Sequence, residues 1–236
     1  MSIGIMQPYF FPYLGYFSLI KHTDKWIVFD PVQYIDRGWM NRNRIIHPNK
    51  PESLYITVPV TAHRDTLIHD VPIDTSQPYA QKILGQLAAS YQKRAPYYKR
   101  ITELVASCLE EETANLRDLN VLCLQRVCEY LSIPLDLQIF SNMALTIAPA
   151  NAPDEWALNI CTALGEKSYI NPPGAMEMFD REKYRSAGVD IRFLKWEPTP
   201  YNQRKPLFLT SLSVLDAMMF CTPEEIFDML DCYTLL

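Results

Sequence analysis

Short apolar runs that stop at proline, aspartate or glycine alternate in this chain with stretches whose apolar residues recur at helical spacing. Ile3 to Met6 is apolar and stops at Gln7-Pro8, which predicts a buried strand closed by a residue that has no N–H for a ladder. Pro12 and Gly15 punctuate the loop that follows, and Tyr16 to Lys21 predicts a helix with Phe17 and Ile20 facing a core. Trp26 to Phe29 is a second apolar run, ending at Asp30, and Val32 to Ile35 reads as extended chain. Trp39 to Ile46 predicts a short strand and Leu54 to Val58 another, rich in β-formers and closed by Pro59. The turn made by Pro48, Asn49, Lys50 and Pro51 pairs residues 41–46 with 54–58 as a hairpin. His69 to Ile73 reads as a further strand.

The pattern then changes period. Asp74 to Ser76 signals a helix start; Ile83, Leu84, Leu87 and Ala88 mark one helical face, which ends near Tyr91. Tyr97 to Glu112 predicts a second amphipathic helix, and Asn115 caps a third that Pro134 terminates. Strand patterns return at Leu135–Phe140, 168–170 and Val189–Trp196, separated by helices from Ala152 to Leu164 and from Met176 to Ala187. Two more helices follow, Leu212 to Met219 and one capped by Thr222 with Glu225 at its third position. Strands alternating with helices predict an α/β fold: a mainly parallel, Rossmann-like sheet with a β-hairpin and a helical insertion at about 76–132, in one domain spanning 1–236.

Bulk properties narrow the classes. The 236 residues carry a net charge of −5, which argues against a broad nucleic-acid footprint. No apolar run approaches the ~20 residues of a membrane span, and no basic region precedes Ile3, so a soluble cytoplasmic protein is expected. Six cysteines are scattered without Cys-x-x-Cys pairs and read as buried reduced thiols. Metal-ligand spacing and glycine-rich phosphate loops are absent from the sequence, and no motif specifies a cofactor.

In open parallel sheets, ligands bind at the carboxyl ends of the strands. Gln7 and Asp30 both sit where an expected strand stops. The Gln7 amide can bind a ligand or satisfy loop backbone; Asp30 is a general-base candidate or a turn cap. Tyr13 and Tyr16 carry hydroxyls that need partners, and Gly15 permits close approach at a helix N-terminus or simply makes a turn. In an extended Asn41-Arg42-Asn43-Arg44 segment, one face offers amides and the other guanidinium forks for phosphate or carboxylate. A solvated hairpin explains the same residues. Trp39 could stack on a base or sugar ring, or cover the core.

Three motifs point further: Met-Gln-Pro-x-x-Phe-Pro-x-x-Gly-Tyr-Phe from Met6 to Phe17, Asp-x-Val-Gln-Tyr from Asp30 to Tyr34, and Trp-x-Asn-Arg-Asn from Trp39 to Asn43. In that order they resemble the WbqC-like family, with a weaker likeness continuing to the C-terminus. The resemblance implies surface-polysaccharide (O-antigen) assembly, with transfer of an acyl or aminoacyl group, glycyl among them, to a nucleotide-linked sugar. It adds Gln33 and Tyr34 to the candidate site and favours Arg42 as the anion ligand. Tyr201 and Gln203 match the family's Tyr-x-Gln element, and Ser213 and Asp216 its Leu-Ser-x-x-Asp element; the latter pair could equally cap a helix. Pro172 and Pro173 depart from the family's glycine- and serine-containing loop and remove backbone donors there. The Tyr13-Leu14-Gly15-Tyr16 segment also lies where HIGH-type nucleotidyltransferases carry His-x-Gly-His, so nucleotidyl transfer is the alternative activity. A non-catalytic scaffold for glycan enzymes is the other. The expected partner is a small anionic or nucleotide-linked molecule, held where Gln7, Asp30 and the Asn-Arg-Asn hairpin converge.

Overall fold

The computed structural model describes residues 1–63 and 65–236. Along the chain, β1 (Ser2–Met6), α1 (Leu14–Lys21) and β2 (Lys25–Val28) form the first unit, followed by the strands β3 (Arg42–Ile46) and β4 (Ser53–Thr57). Three helices come next: α2 (Tyr79–Tyr91), α3 (Tyr98–Glu110) and α4 (Leu116–Tyr130). The rest reads β5 (Leu137–Ile139), α5 (Glu155–Leu164), β6 (Ser168–Asn171), α6 (Arg181–Ser186), β7 (Asp190–Trp196), α7 (Val214–Phe220), α8 (Pro223–Met229) and β8 (Tyr233–Leu235).

The main sheet runs β5-β2-β1-β6-β7-β8, parallel except for β8, which lies antiparallel on β7. The chain leaves β1 toward β2 on one side and later returns to β6 on the other. That reversal splays the connections apart at the carboxyl ends of β1 and β6 and opens a crevice there. The hairpin β3–β4 is a separate antiparallel pair with Asn43 opposite Ile56, as the turn chemistry predicts. The helices α2 to α4 sit in sequence between the hairpin and β5, although β5 pairs directly with β2.

Side-chain alternation divides the core between the two faces of the sheet. Ile3, Ile5 and Ile27 pack with α5 and α6 residues such as Ile160, Cys161 and Tyr184. The opposite face carries the larger core, built from α1, the hairpin, α2 to α4, α7 and α8. There Gly4 lies against the fully buried Trp26: a Cβ on Gly4 would come within 2.6 Å of the indole ring.

Local chemistry sets the ends of the helices. Asn115 caps α4 by accepting from the Asp118 N–H at 3.0 Å, Thr222 and Glu225 form the expected capping box on α8, and Gly165 ends α5 at φ 70°. Elsewhere the structure departs from the pattern. His69–Ile73 is a short 3-10 turn at Ile68–Asp70 with one bridge from Ile73 to Val60, because Pro72 interrupts any ladder. Val32–Ile35 makes only a single bridge, Gln33 to Leu67. Asp74 binds the Ser76 N–H as a turn and α2 starts later, at Tyr79 after Pro78. The stretch expected as one helix from Met176 splits into a 3-10 segment and α6, since Asp180 caps a new start at Arg181. The three-residue edge strand β8 is too short to leave a periodic signal. No helix among the described residues is long and apolar enough to cross a membrane.

Substituting Gly4→Ala should destabilise the fold by about 1–3 kcal/mol, the usual cost of overpacking. Chemical denaturation checks this; an unchanged midpoint would show that Trp26 is free to move.

Candidate functional site

The loop after β1 cannot satisfy its own backbone. Pro8 and Pro12 lack N–H groups, and the carbonyls of Gln7, Pro8, Phe10, Phe11 and Pro12 join no strand ladder. Distant side chains serve them instead. The Tyr16 hydroxyl donates to the Gln7 carbonyl at 2.8 Å, and Asn120 Nδ2 to the Pro8 carbonyl at 3.0 Å. Asn43 Nδ2 donates to Phe10 and Phe11 at 3.0 and 2.9 Å, and the Ser213 hydroxyl also reaches Phe11 at 2.8 Å. The Val214 N–H closes on Pro12 at 2.8 Å. Held this way, the buried Phe11 sits at φ 39°, a left-handed conformation that costs a β-carbon residue roughly 1–3 kcal/mol.

This loop, the start of α1 and β3 enclose a cavity of about 370 Å³ at the crevice. Tyr9, Tyr13, Gly15 and Tyr16 line one side, and Trp39, Asn43, Arg44 and Ser211 the other. A Cβ on Gly15 would meet the Tyr13 ring, so glycine lets that ring lie against the start of α1. Burial raises the Tyr9 and Tyr13 phenols above their ordinary value of 10.0, so both stay protonated as donors. Neither hydroxyl makes a hydrogen bond among the described residues. Arg44 is the charged side chain lining the cavity among those residues. One of its terminal nitrogens donates to the Ser211 carbonyl at 3.2 Å, and its guanidinium carbon lies 5.3 Å from the Trp39 ring centre. Its Nε is buried and has no partner.

The structure brings five expected site residues to this cavity: Tyr13, Gly15, Tyr16, Trp39 and Asn43. Gln7 lines an adjoining chamber. The other expected residues lie elsewhere. Arg42, the arginine expected to hold an anion, turns its guanidinium to the carbonyls of Gly38 and Arg37 and packs 4.5 Å over Tyr55. Asn41 is buried and donates to the Val58 carbonyl at 3.0 Å. Gln33 and Tyr34 line a separate hollow with Val60 and His63. Asp30, expected as the general base, is fully buried and away from the cavity. Its carboxylate accepts from Arg117 at 3.0 Å and from the Ser141 hydroxyl and N–H at 2.5 and 3.0 Å. Gln7, Asp30 and Arg42 therefore do not share one hollow.

A family model described as the WbqC-like protein family matches residues 7–227. The chain belongs to that family. The uncharacterized protein Rv1507c of Mycobacterium tuberculosis is 27% identical over 218 residues, which is 92% of this chain and 92% of that protein, so the likeness spans site and scaffold alike. No solved structure matches.

The later WbqC-like elements build the frame behind the cavity. Asp216 is fully buried and accepts from Tyr91 and Tyr201 hydroxyls, each at 2.6 Å, and from Gln203 Nε2 at 2.8 Å. The Tyr91 hydroxyl also accepts the Ile46 N–H at 3.2 Å, so this cluster fixes the end of β3. Ser213 caps α7, as the alternative reading has it, while its N–H donates to the Arg44 carbonyl at 2.8 Å. The sequence offers Arg44 only as the second guanidinium beside Arg42 and does not single out Asn120. Arg44 shares its strand face with Arg42, and the carbonyls of Arg37 and Gly38 take up the Arg42 guanidinium while Arg44 keeps an Nε without a partner. Asn120 is a lone amide on a buried helical face, which is itself the signal that could have found it.

Burial pushes the Asp216 carboxyl from 3.8 up to about 6, against the lowering effect of its three donors. The folded state thus favours the protonated acid, so its contribution is complete below pH 3.8 and lost as pH rises toward about 6. The stability of the native chain relative to Asp216→Asn should fall by about 3 kcal/mol across that window. Paired urea titrations at several pH values test this; a difference flat in pH would contradict it.

Proposed function

We propose that this chain is a transferase of surface-polysaccharide (O-antigen) biosynthesis that moves an acyl or aminoacyl group, glycyl among the candidates, onto a nucleotide-linked sugar. The observation that carries the reading is Arg44, the charged side chain on the wall of the crevice cavity, whose buried Nε has no partner. A buried guanidinium N–H without an acceptor is costly, and a phosphate oxygen supplies the missing charge-assisted bond. The first turn of α1 adds free N–H groups that favour the same charge. Protonated Tyr9 and Tyr13 orient the ligand, and Trp39, partly exposed beside Arg44, offers a ring for stacking. Catalysis in such a site comes from positioning and from fixed donors aimed at developing negative charge. Asp30 supports it as a positioning residue, tying the end of β2 to α4 through Arg117.

Nucleotidyl transfer is the second reading, favoured by α1 beginning directly beside the end of β1 with Gly15 on the cavity wall. Neutral tyrosines stand where that chemistry uses histidines, so they add hydrogen bonds but no positive charge.

Thermal-shift and calorimetric titrations with UDP, GDP and dTDP test the assignment. At least one should bind, and Arg44→Ala should weaken it about tenfold to a hundredfold, the loss of one or two charge-assisted bonds. Unchanged affinity in the variant would overturn the assignment. Pyrophosphate released from nucleoside triphosphates would favour the second reading.

A further inference from the structure

The cavity at Arg44 shares a wall with a second space. On the far side of Tyr9, Met6 and Pro172, which line both spaces, lies a second chamber of about 300 Å³ over the carboxyl ends of β1 and β6. That volume falls at the small end of ligand pockets, roughly 300–1,000 Å³. We infer that this second chamber is the subsite for an uncharged sugar ring whose diphosphate lies at Arg44. The inference rests on the proposed reading of the Arg44 cavity and adds the orientation and class of the sugar.

Three features select that occupant. First, the chamber combines flat apolar walls, Tyr9, Phe29 and Pro172, with amide edges from Gln7 and Asn171. A pyranose has the matching surface: C–H groups on its faces and hydroxyls around its rim. Second, the Gln7 amide is unspent. Its backbone carbonyl is taken by Tyr16, but its side chain makes no hydrogen bond among the described residues. An amide both donates and accepts, as hydroxyls do, so one residue can read a vicinal diol. Asn171 is locked in place: its Oδ1 accepts from the Tyr169 hydroxyl at 2.8 Å and its Nδ2 donates to the Pro172 carbonyl at 3.2 Å. Third, no charged side chain lines the chamber among the described residues, and Pro172 and Pro173 have no N–H to offer. A carboxylate or phosphate placed there would lose its hydration without gaining a cation. Of the two neighbouring spaces, only the one with Arg44 has a cation for the anionic part, which directs the ring to the other.

The test compares each nucleoside diphosphate with its sugar-linked form by calorimetry: UDP with UDP-N-acetylglucosamine, GDP with GDP-mannose, dTDP with dTDP-glucose, and UDP-glucuronate as the acidic control. A neutral sugar should improve affinity over the parent diphosphate by about tenfold, the worth of one or two hydrogen bonds. UDP-glucuronate should show no gain. Gln7→Leu, close in shape but without hydrogen bonds, should remove most of the gain while leaving the plain diphosphate unaffected. Ala175→Trp, which fills the chamber from its outer wall, should do the same. Diphosphate binding that is intact, with no increment from any neutral sugar or an increment that survives both substitutions, overturns this inference alone. Diphosphates that fail to bind the native chain, or bind Arg44→Ala equally well, overturn it together with the reading on which it rests.

Discussion

The carbonyls of the loop after β1 are the constraint on which the site depends. A proline-bearing segment folded inward has acceptors but few donors, and each buried carbonyl left without a partner costs about 1–3 kcal/mol. Here the donors come from four remote places: α1 through Tyr16, β3 through Asn43, α4 through Asn120 and the start of α7 through Ser213 and Val214. Elements far apart in sequence must therefore meet at one loop. Asn120 also donates to the Met40 carbonyl at 2.8 Å, which brings the approach to β3 under the same control. A loop held at so many points can keep Phe11 left-handed and fully buried.

The cavity follows from that frame. Because Asn43 is spent on the loop, the neighbouring Arg44 is carried to the cavity wall, where the Ser211 carbonyl holds one end of its guanidinium and Nε is left over. Ser211, on the cavity wall, is itself left-handed at φ 55°. Behind it, the Asp216 cluster anchors β3 through Tyr91, and the Asp30–Arg117 pair secures the end of β2. Removing Arg117 would leave the buried Asp30 carboxylate without its cation, which is far costlier than the pair is stabilising. These polar groups shape the walls rather than touch the space inside.

Much of this was legible in the chain. The apolar runs with their proline, aspartate and glycine stops mark β1, β2, β4, β6 and β7, and the helical periodicity marks α2 to α4 within a few residues. The WbqC-like motifs place Tyr13, Gly15, Tyr16, Trp39 and Asn43 together, and the structure brings all five to one cavity. What was not legible depends on contacts between distant positions. Asp30 sits at a strand end, yet its fate is decided by Arg117 and Ser141, both far along the chain. Tyr201 and Gln203 belong to the same motif set, yet they turn to Asp216 and away from the cavity. Alternation places Arg42 and Arg44 on one face, and nothing local distinguishes the arginine whose Nε finds a carbonyl from the one whose Nε does not.

The most direct measurement is a crystal structure of the protein with a bound nucleoside diphosphate. That structure should place a phosphate oxygen at hydrogen-bond distance from Arg44 Nε, about 2.7–3.0 Å, with the Pro8, Phe10 and Phe11 carbonyls still held by Asn120, Asn43 and Ser213. A diphosphate seated on another surface, with Arg44 Nε turned to a protein carbonyl and the crevice empty, would contradict that placement.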